Sequence, residues 1–120
     1  TVRLAKTAAK TYGAVVLASG KTDLVTDGEQ VYLIDNGCEM MGRITGTGCM
    51  LNVLTAAYMS AGRPMAAAVA ACVVLGISGE IAAGQCWGTG SFQTAFLDAL
   101  FCMTDEDIRE RMRVSFFSRC

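Results

Sequence analysis

The run from Met65 to Gly79 contains no charged side chain, and it constrains the fold more than any other stretch. A helix that is apolar all round has no face to offer water, so it has to be enclosed on every side. The run is shorter than the roughly 20 apolar residues that cross a bilayer, and Glu80 follows at once. Its alanines and glycines suit close approach by neighbouring elements. It is therefore expected to be the central helix of a packed protein, with Pro64 in the first turn and an end near Ala83.

The remaining elements must be arranged around that helix. Residues 2–12 place Leu4, Ala5, Ala8, Ala9 and Tyr12 at helical spacing, and Gly13 follows as a stop. Ala14-Val15-Val16-Leu17-Ala18 is a short continuous apolar run, the pattern of a strand buried on both faces of a helix-covered sheet. Residues 22–26 and 31–35 read as two more strands, joined in a hairpin by the Asp27-Gly28 turn. Residues 49–60 form an apolar helix closing at Gly62. Thr89 or Ser91 is placed to cap a third helix, in which Phe92, Ala95, Phe96 and Ala99 share one face. Thr104 and Asp107 have the spacing of a capping box for a last helix, with Asp105–Arg109 and Asp107–Arg111 as i,i+4 pairs. No repeat, low-complexity tract or linker interrupts this order, so residues 1–120 form one segment. Three strands are too few to shield the Val15–Leu17 run, so further strands are expected from a preceding part of the chain or from another subunit.

Composition narrows the function classes. The chain is 120 residues long, the size of one domain, with 52% hydrophobic and 18% charged residues. That is more apolar than an ordinary soluble domain, which implies a large core or a covered surface. A net charge of -1 and a pI near 5.3 leave no electrostatic footprint for nucleic acid or for an anionic membrane. Arg109, Arg111 and Arg113 read as a solvated helix face. Cys38, Cys49, Cys72, Cys86, Cys102 and Cys120 form no C-x-x-C pair and the chain has no histidine, which argues against a zinc site. The setting is expected to be reducing and cytoplasmic, with no disulfide framework. Arg3, Lys6 and Lys10 near the start are unlike a signal peptide.

Three glycine-bearing segments carry the candidate chemistry. The strongest is Thr45-Gly46-Thr47-Gly48-Cys49, which runs into Met50-Leu51-Asn52. Its glycines let the backbone turn sharply and approach a ligand without a Cβ in the way. The helix behind it leaves its first N–H groups unpaired and carries about half a positive charge at that end. Together they suit a phosphate, or the charge that develops in phosphoryl transfer. Cys49 falls in the first helical turn, where the positive end favours a thiolate; it is either a base or positioning group, or a small buried cysteine behind the loop. Ser19-Gly20-Lys21-Thr22 invites a phosphate-loop reading, but Val15 stands where that motif needs glycine and a strand follows instead of a helix. Ser19, at a strand's carboxyl end, remains a reasonable ligand contact. Gly88-Thr89-Gly90-Ser91-Phe92 reads first as a loop and helix cap, and Trp87 beside it as packing, with base stacking the alternative.

These residues resemble a known family. Thr45-Gly46-Thr47-Gly48-Cys49 is similar to the Thr-Gly-Ala-Gly-Cys motif of hydroxyethylthiazole kinase, a member of the ribokinase-like superfamily. Ala18-Ser19-Gly20-Lys21-Thr22-Asp23 resembles its strand-end motif, usually Thr-Gly-Glu-x-Asp. The turns at Asp27-Gly28 and Asn36-Gly37 follow, and Gly88-Thr89-Gly90-Ser91-Phe92-Gln93 resembles its late Gly-Pro-Gly-Ser-Phe motif. The resemblance implies a ribokinase-like αβα layered fold, an α/β class, represented here by the C-terminal half of the kinase domain, with few strands and then a run of helices. It implies ATP-dependent phosphorylation of the primary alcohol of 4-methyl-5-(2-hydroxyethyl)thiazole in thiamine biosynthesis or salvage, with Mg²⁺. Carried over by position, Gly46, Thr47, Gly48 and Cys49 form the anion hole and Cys49 is the catalytic residue. Ser19 matches an ATP-contacting threonine, and Gly46 and Gly48 contact the thiazole. No metal ligand is carried over. A homotrimer, or a missing N-terminal half, would complete the site. The rival readings are a nucleotide-binding fragment without catalysis and a half-fold subunit that needs a partner chain.

Overall fold

Alternation of side chains along the strands decides which faces of the sheet are buried. In a computed structural model that describes residues 1–118, four strands lie side by side in the order β1 (Val16–Ala18), β2 (Asp23–Thr26), β3 (Val31–Ile34) and β4 (Val114–Phe117). Each is antiparallel to its neighbour, with Leu17 opposite Val25, Leu24 opposite Leu33 and Tyr32 opposite Phe116. Leu24 and Val31, with Val16, Ala18 and Leu33, pack on one face against Ala5 of α1 (Val2–Tyr12). Val25 and Ile34, with Leu17, Tyr32 and Val114, join the main core on the other face. The result is a mixed α/β protein with its sheet covered on both sides.

The main core is organised by α3 (Pro64–Ala83), which has the bounds its sequence suggests. It packs between α2 (Thr47–Met59) and α4 (Thr89–Phe101), and also touches β2, β3 and the short α5 (Asp105–Arg111). Phe92 and Phe96 of α4 are fully buried and stack with centroids 5.7 Å apart. With 20 residues, α3 is longer than its uncharged run and reaches membrane-spanning length, but 67% of its most apolar window is buried inside the protein. Its apolar surface is thus taken up by the core.

One polar cluster ties the last elements to this core. Asn36 is buried, and its side-chain amide donates to Glu80 Oε2 (2.9 Å) and to the Arg111 carbonyl (2.7 Å). Its side-chain Oδ1 accepts from the Arg113 backbone N–H at 2.8 Å. Glu80 also accepts from the Gly37 N–H (2.8 Å) and from the Arg113 guanidinium (2.9 Å). Both polar atoms of the Asn36 side chain are used, which is what burial of an amide requires.

Several local expectations need correction. A fourth strand, β4, follows α5; it is short, its outer residues Phe116 and Phe117 are exposed, and it is held by pairing with β3. The 14–18 strand is reduced to Val16–Ala18 and is half-buried, because it lies at the edge of the sheet. α2 starts at Thr47, two turn residues earlier than expected, with Gly46 as its N-cap. Gly88, not Thr89, is the N-cap of α4, and Ser91 takes part in the cap from the N3 position, its hydroxyl accepting from the N–H groups of Trp87 (2.8 Å) and Gly88 (3.2 Å). The Thr104–Asp107 box is present, each backbone N–H donating to the other's side chain at 3.2 Å. Arg111 and Arg113 are not simply solvated, since both approach Glu80. Cys120 lies outside the described residues.

Candidate functional site

A cleft of about 830 Å³ opens where the β1–β2 connection meets the start of α2. Ser19, Gly20, Lys21, Thr22 and Asp23 form one wall, Thr47 and Gly48 line the other, and Asn36, Gly37, Cys72 and Gly76 lie between them. Two of the three glycine-bearing segments singled out in the sequence therefore meet across one cavity. Gly46 and Cys49 flank Thr47 and Gly48 in the chain but are not among the lining residues. The third segment, residues 88–92, is also outside the cleft. Trp87 is fully exposed, so it does not pack within this chain as expected.

The first wall is shaped by short-range hydrogen bonds. The Gly20 N–H donates to Asp23 Oδ1 (3.0 Å), tightening the connection, and the Thr22 hydroxyl donates to Asp35 Oδ1 (2.6 Å). Asp23 and Cys72 share a further hydrogen bond at the base of the cleft. Burial raises the Asp23 carboxyl above its ordinary range, while the bonds from Gly20 and Cys72 pull the other way. The Cys72 thiol is pushed up to about 12, first by burial and then by the charge and hydrogen bonding of Asp23. Cys72 is thus held as a thiol at neutral pH.

The second wall is the start of α2, a helix end with no side-chain cap. Gly46 has φ 102° and ψ -3°, a left-handed conformation that glycine adopts without strain. Its carbonyl accepts from the Met50 N–H at 2.9 Å, while the Thr47 hydroxyl donates to the Met41 carbonyl at 3.2 Å. The N–H groups of Thr47, Gly48 and Cys49 have no partner within the helix, and a glycine N-cap has no side chain to accept from them. Contrast α5, whose first turn is capped by Thr104. Gly48 does not have a positive φ, and a Cβ there would meet nothing within 4 Å. Its backbone therefore has no need of glycine, and glycine costs a helix about 1 kcal/mol relative to alanine. What the missing side chain leaves open is the cleft. Cys49 is exposed, not buried behind the loop.

Asp35 and Glu39 also line the cleft, and sequence reasoning assigned them no role. Asn36 and Cys72 were likewise missed as site residues, although the Asn36-Gly37 turn was noted. Among the described residues no three His, Cys, Asp or Glu side chains come together as a metal site.

The fold and the cleft define an α/β protein in which a helix start opened by glycine faces a strand-end loop. Residues 1–106 match the model of the hydroxyethylthiazole kinase family. The chain belongs to that family. It is 40% identical over 105 residues to hydroxyethylthiazole kinase 2 of Clostridium botulinum strain Langeland, covering 88% of this chain and 39% of that protein. It is 39% identical over 109 residues to hydroxyethylthiazole kinase of Methanocella arvoryzae, covering 90% and 41%. The solved structure of the hydroxyethylthiazole kinase protein from Pyrococcus horikoshii OT3 superposes with a TM-score of 0.93 at 34% identity, over 96% of this chain and 45% of that one. The chain thus spans about two fifths of the length of these curated relatives.

Proposed function

We propose that this chain carries the phosphoryl-transfer side of an ATP-dependent kinase that phosphorylates the primary alcohol of 4-methyl-5-(2-hydroxyethyl)thiazole. The observation that carries the reading is the start of α2: three N–H groups with no helical partner, a glycine N-cap, and Gly48 leaving the cleft open opposite Ser19. In this reading the alcohol oxygen attacks the γ-phosphorus in line, and the bond from phosphorus to the β–γ bridging oxygen breaks to release ADP. The N–H groups of Thr47, Gly48 and Cys49 hold the negative charge on the transferring group, and the Ser19 hydroxyl contacts the nucleotide. Gly46 and Gly48 let the thiazole approach the backbone. Cys49 positions the alcohol or takes its proton, which in a loose transition state leaves late. Mg²⁺ would accompany the nucleotide phosphates and supply charge neutralisation there.

The reading extends to a cytoplasmic enzyme completed by an N-terminal half or by the subunits of a homotrimer. Leu4, Val53 and Phe101, all strongly exposed, support the covering of further faces. A second reading, a nucleotide-binding segment that turns over only with a partner, is favoured by the share of the relatives it spans.

The test is ADP release with Mg-ATP and hydroxyethylthiazole, beside Cys49→Ala. Thiazole-dependent release that falls on the order of 10²-fold in the variant is expected for a base or positioning group. Release that ignores the thiazole, or a variant as fast as the parent, contradicts the assignment. ATP binding without release supports the second reading.

A further inference from the structure

We propose that Lys21 is a nucleotide-selecting residue, its ammonium binding the phosphate chain from the wall opposite the start of α2. The proposal rests on the cleft being a nucleotide site, and it starts from charge balance. The lining carries three carboxylates, Asp23, Asp35 and Glu39, against a single cationic side chain, Lys21. A polyphosphate entering such a cavity meets repulsion on one side and neutral amides on the other. The start of α2 offers about half a positive charge, which cannot offset three carboxylates and a polyanion together. A full positive charge is needed within the cleft, and Lys21 is the lining residue that has one.

The hydrogen bonding of that wall points the same way. The Gly20 N–H is committed to Asp23 and the Thr22 hydroxyl to Asp35. Two of the three lining carboxylates, Asp23 and Asp35, thus already have donors, and among the described residues Lys21 forms no ion pair. Its side chain is exposed. The side-chain donors left on this wall are the Ser19 hydroxyl and the Lys21 ammonium. A flexible ammonium acts as a point charge, suited to a phosphate chain whose oxygens present no single plane.

The experiment is calorimetric titration of the full chain with Mg-ATP and with adenosine, at low and moderate ionic strength, for the unaltered protein, Lys21→Met and Lys21→Arg. Lys21→Met is expected to weaken Mg-ATP binding about tenfold, to flatten its dependence on salt, and to leave the melting temperature in place. Lys21→Arg is expected to recover most of the loss, and adenosine binding to change little in either variant. Mg-ATP affinity unchanged in Lys21→Met overturns the proposal, as does an equal loss for adenosine, because neither separates the phosphates from the rest of the ligand. An unaltered chain that binds no Mg-ATP overturns both this proposal and the reading of the cleft. Binding that is present but indifferent to Lys21 overturns this proposal alone.

Discussion

Gly76→Ala is expected to lower the stability of the folded chain by about 3 kcal/mol, the upper range for overpacking a tight core. A Cβ at this position would lie 2.7 Å from both the backbone carbonyl carbon and the Cβ of Asn36, and 2.8 Å from its carbonyl oxygen. The obstacle is backbone, so it cannot rotate away. Nor can the Asn36 segment easily retreat, because its side chain is hydrogen-bonded to Glu80, Arg111 and Arg113. Moving it would also break the clamp that joins α3 to the α5–β4 segment. Gly79→Ala is the natural comparison: its nearest obstacle is the flexible side chain of Met41, which can turn aside. Urea unfolding should show a much lower midpoint for Gly76→Ala than for Gly79→Ala. Equal midpoints would mean that the α3–Asn36 contact does not constrain the fold as described.

Gly48→Val is expected to act in the opposite sense, sparing the fold and removing function. Nothing lies within 4 Å of a Cβ there, so the fold has room for the side chain. The same side chain would project beside the unpaired N–H groups at the start of α2, in the space proposed for the phosphate. Loss of one such donor interaction costs about 10²- to 10³-fold in rate, so thiazole-dependent turnover should fall by about 10²-fold while the unfolding midpoint hardly moves. Turnover close to that of the parent would remove Gly48 from the site. A large loss of stability would instead give the glycine a role in folding.

The elements legible in the sequence are those with a strong local pattern. α1 and α3 have the bounds that helical spacing, Gly13 and Pro64 suggest, and the Thr104–Asp107 box marks α5. β4 has no such mark: Val114-Ser115-Phe116-Phe117 becomes a strand through pairing with β3, a contact local periodicity does not encode. The Asn36 cluster was hidden for the same reason, since its partners lie 44, 75 and 77 residues away in sequence. In the site, Thr45–Cys49 announced itself through glycines before an apolar helix, and Ser19 through its place at a strand end. The cavity between them depends on tertiary packing, and so do the carboxylates that line it. The Asp23–Cys72 pair joins a strand to the central helix, where a cysteine in an apolar run looks like any other small core residue.

The most direct test of the cleft as a nucleotide site is amide mapping of the isotope-labelled chain during titration with a non-hydrolysable ATP analogue and Mg²⁺. The N–H resonances of Thr47, Gly48 and Cys49 should move together with those of residues 19–21, with saturating, fast- or intermediate-exchange behaviour, while residues 88–92 stay in place. Shifts centred on residues 88–92, or an analogue that leaves the start of α2 unmoved at saturation, would contradict the assignment of the cleft.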